Sequence, residues 1–227
     1  MSAVELVVAR YAESLKWLTR VPSSIAITVL DKNPDAQLPG ATRLPNVGRE
    51  AHSYLHFIVS HYDELSDVTV FCQGHPFDHA FNFHSTLRRI ASAPDVCGRF
   101  LWLGHVIDTD DADGQTLFRS WSKNRDGRGL DLIGFHRALL GTDAPAEYTF
   151  HLGAQFAVSR ASIRARSLEF WTRALHISEN FPDAAHCFER SWDRVFGSQG
   201  IDTSWLNGRK TVYLKPIRRL REYVEIR

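Results

Sequence analysis

The chain has 227 residues, 44% hydrophobic and 23% charged, the balance of a globular protein and not of a disordered or fibrous one. Its 27 basic and 26 acidic residues leave a net charge of +1, so no global field draws it to nucleic acid or to an anionic membrane. Three cysteines without a CxxC spacing exclude a disulfide framework and a zinc knuckle, and no run approaches the ~20 apolar residues of a membrane span. The N-terminal stretch carries no small-residue cleavage signal, and a cytoplasmic chain is expected.

In chain order, Leu6, Val7, Val8 and Ala9 predict a short buried strand that opens into Arg10, Tyr11, Ala12 and Glu13. Arg10 and Glu13 either pair with each other at the surface or face a ligand. Ser14 is a candidate cap for a brief helix through Trp17 and Leu18. A second strand, Ile25 to Leu30, also ends in polar residues, Asp31, Lys32 and Asn33. The turn from Leu44 to Arg49 leads into a helix from about Glu50 to Tyr62, with Ala51, Leu55, Ile58, Val59 and Tyr62 on one apolar face. His52, His56 and His61 fall on its other faces, as solvated or packing residues rather than ligands.

Val68 to Cys72 is built from β-branched, aromatic and small apolar residues, the composition of a strand buried on both faces. Gly74 and Pro76 stop it. Ligands of open α/β sheets collect beyond the carboxyl ends of the strands, so Gln73, His75, Asp78 and His79 stand where a site is expected. The alternative is a polar turn that caps the next helix, Ala80 to Ser92. Phe100 to Ile107 predicts another strand, followed by an acidic loop that begins at Asp108 and stays irregular to Gly129. A calcium loop is excluded, because Ser120 holds the twelfth position from Thr109, where a glutamate is required. Asp108 and Asp110 either hold a divalent cation or are solvated.

Further on, Asp131 to Leu140 predicts a helix, Tyr148 to Val158 a strand interrupted by Gly153, and Ser167 to Ile177 another helix. A glycine inside a strand marks the close approach of a ligand or a backbone, so His151, Gly153 and Gln155 are candidate site lining. The last helix runs from Asp183, its N-cap, to Phe196, and Gly197 ends it. Phe188, Trp192, Val195 and Phe196 form its buried face, which leaves His186, Glu189, Arg190 and Asp193 on the others. His186 and Glu189 are three apart and therefore neighbours. They present a base and a metal ligand on one rigid helix, or else the helix carries a surface salt-bridge network, Glu189 with Arg190 and Asp193 with Arg194. The basic tail from Lys210 onward is either a lid over an anionic ligand or a peripheral strand with solubilising charge.

Five blocks in order, ELVVARYAESLKWL, LPNVGREAHSYLHFIV, VTVFCQGHPFDH, LGAQFAVSRASI and FERSWDRVFG, resemble an uncharacterised family, a domain of unknown function, from about Val4 to Gly197. The layout in turn resembles the GT-A class of nucleotide-sugar glycosyltransferases. That resemblance implies an α/β, Rossmann-like single domain over residues 1–227, with a mixed, mostly parallel central sheet flanked by helices. Its parts would be a nucleotide-binding half at 4–107, an irregular loop at 108–130, an acceptor and catalytic half at 131–200 and a C-terminal tail at 201–227.

The resemblance also implies residue roles. Arg10, Tyr11 and Glu13 would meet base and ribose, and Asn46, Gly48 and Arg49 would lie near base and phosphates. The turn from Gln73 and Gly74 to Asp78 would take the place of the metal-binding Asp-x-Asp motif, while Gly153 to Val158 would line the sugar and Glu189 would be the catalytic base. The expected partners are a nucleotide-sugar donor and a hydroxyl acceptor. Ala12 stands where the family pattern has Asn, and QGH replaces the two aspartates, so the hard oxygen ligands for Mg²⁺ or Mn²⁺ are missing. Either His75, Asp78 and His186 hold the metal, or Arg10 and Arg49 neutralise the diphosphate without one. The alternatives to glycosyl transfer are a metal-dependent hydrolase built on His75, Asp78 and His79, and a non-catalytic ligand-binding protein on the same scaffold.

Overall fold

The computed structural model describes residues 3–35, 38–121 and 126–214. The order of its elements is β1 (Val4–Arg10), β2 (Ile25–Asp31), β3 (Thr42–Arg43), α1 (Arg49–Ser60), β4 (Val68–Gln73), α2 (Phe83–Ser92), β5 (Phe100–Trp102) and β6 (Val106–Asp111). There follow α3 (Phe118–Trp121), α4 (Leu132–Leu140), β7 (Glu147–His151), β8 (Phe156–Ser159), α5 (Arg160–Arg164), α6 (Leu168–Asn180), α7 (Ala184–Val195) and β9 (Thr211–Tyr213). Of the tail from Lys210 onward, read above as a lid or a strand, Thr211–Tyr213 form β9, and the part beyond residue 214 lies outside the described residues.

A six-stranded sheet has the order β3-β2-β1-β4-β8-β5, in which β3, β2, β1 and β4 are parallel and β8 is antiparallel to both β4 and β5. The fold is thus α/β with a mostly parallel central sheet flanked by helices. Side chains of β1 alternate between two cores: Val7 and Ala9 join the one under α1, α4, α6 and α7, while Leu6 and Val8 join the one under α2. Such two-sided burial is why these strands read as continuous apolar runs. The chain leaves β1 toward β2 and β3 on one side and returns to β4 on the other. The gap between the ends of β1 and β4 is therefore a topological switch point. In the register Ala9 lies opposite Gln73 and Arg10 opposite Asp31, so three strands deliver their polar ends at one level.

Several expectations are corrected. The 3-10 turn at Lys16–Arg20 follows Leu15 and has no side-chain cap, so Ser14 does not start it. The stretch from Phe100 to Ile107 is two strands, and Asp108 to Asp111 continue the second of them instead of forming a loop. The stretch from Tyr148 to Val158 is also two strands, in different sheets, because Gly153 and Ala154 both take left-handed backbone angles (φ +96° and +50°) and turn the chain from one sheet to the other. A side chain at Gly153 would stand 2.7 Å from His79, so the close approach read from this glycine is made by a neighbouring ring. Asp183 precedes the last helix but gives it no side-chain cap and pairs with Arg128 at 3.0 Å.

Arg190 and Asp193 are buried, so the expected pair of Glu189 with Arg190, at 3.8 Å, lies inside the protein and not in a surface network. Arg190 Nε reaches Asp110 Oδ2 at 2.8 Å, with both side chains almost wholly inaccessible, and its guanidinium lies 4.8 Å from the centre of the Phe150 ring. Asp110 also accepts the backbone N–H groups of Leu117 and Phe118, so one ion pair fastens α7 to the small β7-β6-β9 sheet and to the loop beyond it. Arg190→Ala strands that carboxylate in the interior and is expected to cost about 3–5 kcal/mol in a urea titration. A loss below about 1 kcal/mol would contradict the pairing.

Candidate functional site

At the switch point a cavity of about 490 Å³ is lined by Arg10, Tyr11 and Glu13 beyond β1, Lys32 beyond β2, and Gln73, His75 and Asp78 at and beyond β4. Asn46, Arg49, Glu50 and Ser53 complete it from the turn and first turns of α1. The structure thus brings Arg10, Tyr11, Glu13, Asn46, Arg49, Gln73, His75 and Asp78 to one cavity, with Gly48 and Gly74 as their chain neighbours. A side chain at Gly74 would stand 2.6 Å from the Glu13 carboxylate, which gives this glycine a steric reason. His151 and Gln155 do not line the cavity. His151 is buried, stacks on Trp102 and bonds the Gly104 carbonyl at 2.7 Å, while the Gln155 amide donates to the Pro76 carbonyl.

Arg10 and Glu13 do not form an ion pair with each other. Arg10 Nη1 binds Asp31 at 2.8 Å and its Nε donates to the Glu13 backbone carbonyl, whereas the Glu13 carboxylate accepts the N–H groups of Tyr11 and Ala12. Sequence reasoning passed over three lining residues. Lys32 was visible only as part of a polar strand end. It is buried, and its Nζ donates to the Val47 and Arg49 carbonyls. Glu50 and Ser53 look like ordinary helix residues, and only their spacing of three hints that they share a face. Burial pushes the Glu50 carboxyl up, against the opposing pull of Arg49.

Glu189 stands on α7 with its side chain 17% exposed. Its Oε1 accepts the Gly153 N–H at 2.8 Å, and its Oε2 lies 4.0 Å from His186 Nδ1. The other imidazole nitrogen, Nε2, is 3.1 Å from Arg49 Nη1. A guanidinium only donates, so the neutral ring accepts at Nε2 and carries its proton on Nδ1, toward Glu189. Burial first, then Arg49 and Arg190, lowers the His186 pKa, partly offset by Glu189. Arg49 therefore links the cavity to the carboxylate through one imidazole.

The residues do not fit the expected metal set. His75 and Asp78 are within 3.4 Å of each other, but His186 is turned to Arg49, and among the described residues no three His, Cys, Asp or Glu side chains gather as a metal site. His79, the third member of the hydrolase reading, packs against Gly153. The rival pair is engaged inside the protein: Asp110 by Arg190, and Asp108 by the Thr109 N–H and the Thr211 hydroxyl.

Residues 6–93, from β1 through α2, match a family model described as Protein of unknown function (DUF3431). No curated protein matches the chain. Among solved structures it is similar to a CMP:2-keto-3-deoxy-manno-octonic acid synthetase in complex with CTP, at 14% identity and a TM-score of 0.35, over 92% of this chain and 87% of that one. Among the described residues no helix is long and apolar enough to cross a membrane.

Burial lowers the Lys32 pKa from 10.5 to about 8, partly offset by Glu50 and Glu179. Below pH 8 the folded state carries the cost of a buried charge. Between about 8 and 10.5 it has released a proton that the unfolded chain keeps, so this residue's contribution to stability rises with pH. Urea midpoints of the wild type and Lys32→Met are expected to shift relative to each other across that window, the wild type gaining. Parallel pH profiles would contradict the burial of the ammonium group.

Proposed function

We propose that the chain is a glycosyltransferase that takes a nucleotide-sugar donor at the switch-point cavity and moves the sugar to a hydroxyl acceptor with inversion. The observation that carries this reading is the cavity itself, at the carboxyl ends of parallel strands, where α1 begins and where arginine side chains and the helix N-terminus favour an anionic group. Arg49 and Arg10 would meet the diphosphate, Arg49 as the more exposed cation of the two, so no step is routed through a metal.

Glu189 is the base of this reading. With Oε1 fixed by the Gly153 N–H, Oε2 takes the proton of the acceptor hydroxyl as its oxygen bonds to the anomeric carbon. The bond from that carbon to the diphosphate oxygen breaks, and the leaving charge stays on the phosphate beside Arg49. Asp78 is a poorer candidate for the base, since it is 75% exposed and lies against His75 at the mouth.

Two measurements test this. Calorimetry with nucleoside diphosphates in the presence of EDTA is expected to give binding that Arg49→Ala weakens by about 10- to 100-fold, the strength of a hydrogen bond to a charged group. Glu189→Gln is expected to keep that binding and to lower transfer at least about 100-fold. Turnover at the wild-type rate would remove Glu189 from the mechanism.

A further inference from the structure

Arg49 at the start of α1 lines the cavity, and His186 stands in the first turn of α7, yet Arg49 Nη1 donates to His186 Nε2 at 3.1 Å. That bond uses the lone pair of Nε2, so a proton on this nitrogen and the contact with Arg49 exclude each other. Both partners reach solvent, with 64% of the Arg49 side chain and 33% of the His186 side chain exposed. The contact can therefore be given up without stranding a buried polar group. On the far side of the ring, Nδ1 lies 4.0 Å from the Glu189 carboxylate, and the Phe118 ring, its centre 5.1 Å away, adds no charge. The other charged groups around the imidazole are Arg190, whose Nη1 donates to the His186 carbonyl, and Asp183, which is itself paired with Arg128.

Resting on the reading above only so far as it brings an anionic ligand to Arg49, we propose that His186 is a positioning residue that exchanges Arg49 for a proton when a phosphate group enters the cavity, so that binding charges the imidazole beside Glu189. A phosphate oxygen is a charged acceptor and outcompetes the neutral Nε2 for the guanidinium. One proton then passes from the buffer to the freed Nε2, where an N–H bond forms. In the ligand-free protein burial opposes that proton most, Arg49 and Arg190 oppose it too, and Glu189 and Asp183 favour it. With Arg49 neutralised by the ligand, the balance shifts toward the imidazolium. Its Nδ1–H then faces Glu189 as the cation of an ion pair, which restrains the carboxylate while the anion is bound. Because the bound state keeps the proton to higher pH than the free one, the gain in affinity is complete below the free-state pKa and is lost as pH rises through the bound-state pKa.

The test is calorimetry of the wild type and His186→Gln with inorganic pyrophosphate and with a nucleoside diphosphate, at about pH 6.5 in two buffers of different ionisation enthalpy. Protons of the ligand's own phosphates are common to both proteins and cancel in the difference. The wild type is expected to take up about 0.3 to 1 proton per ligand more than His186→Gln, whose amide carbonyl can accept from Arg49 but cannot titrate. From about pH 8 to about pH 6 the ratio of their affinities is expected to move about 3- to 10-fold in favour of the wild type, a change that a merely structural side chain would not make. Imidazole NMR of His186 supplies a second measurement. Adding pyrophosphate to the wild type, and removing the guanidinium in ligand-free Arg49→Ala, should each raise the pH at which His186 titrates. Equal proton uptake by the two proteins, or a His186 titration that bound pyrophosphate leaves in place, would overturn the exchange and leave the anion site intact. No binding of either ligand by the wild type would overturn both the exchange and the reading that brings an anion to Arg49.

Discussion

Lys32 holds the end of β2 against the turn that begins α1, its ammonium group donating to the Val47 and Arg49 carbonyls. On its other side the same turn is pressed against α6. Gly48 has a φ of +58°, and a side chain there would stand 2.5 Å from the Ser178 carbonyl and 2.8 Å from the His52 Cβ. Arg49 follows with a φ of +49°, an uncommon angle for a residue with a side chain. Clamped between a strand end and a helix, the turn directs the start of α1 at the gap between β1 and β4. The cavity exists because that clamp and the level register of three strands coincide.

The site is electrostatically balanced. Arg10, Lys32 and Arg49 face it together with Glu13, Glu50 and Asp78, yet the deeper cations are already bonded within the protein. Attraction for an anion is therefore concentrated at Arg49, which also touches His186. Recruiting Arg49 to a ligand would change the field at His186 and so at Glu189, an electrostatic route from the cavity to the carboxylate on α7. The Arg190 and Asp110 pair fixes the helix that carries Glu189.

Much of this was legible in the sequence. The helix at Arg49–Ser60 and the strands at Val4–Arg10 and Val68–Gln73 follow from strong apolar patterns, and the rule about strand ends pointed to Arg10, Gln73 and Asp78. What failed was the reading of partners. Arg190 and Asp193 look like surface charges by spacing, but Asp110, 80 positions away, lets Arg190 be buried. The run from Tyr148 to Val158 looks like one strand because both halves are apolar; Gly153 marked the interruption but not that the halves enter different sheets. Glu50 and Ser53 gave no signal beyond their spacing, because a polar residue in the first turns of a helix is ordinary. Only the tertiary placement of α1 over the switch point gives them a wall to line.

The most direct test of the account is a crystal structure of the chain with a nucleoside diphosphate bound. The expected result is the ligand in the cavity between the ends of β1 and β4, with its phosphates within hydrogen-bond distance of Arg49. Ligand density at any other surface, with the switch-point cavity unchanged, would contradict it.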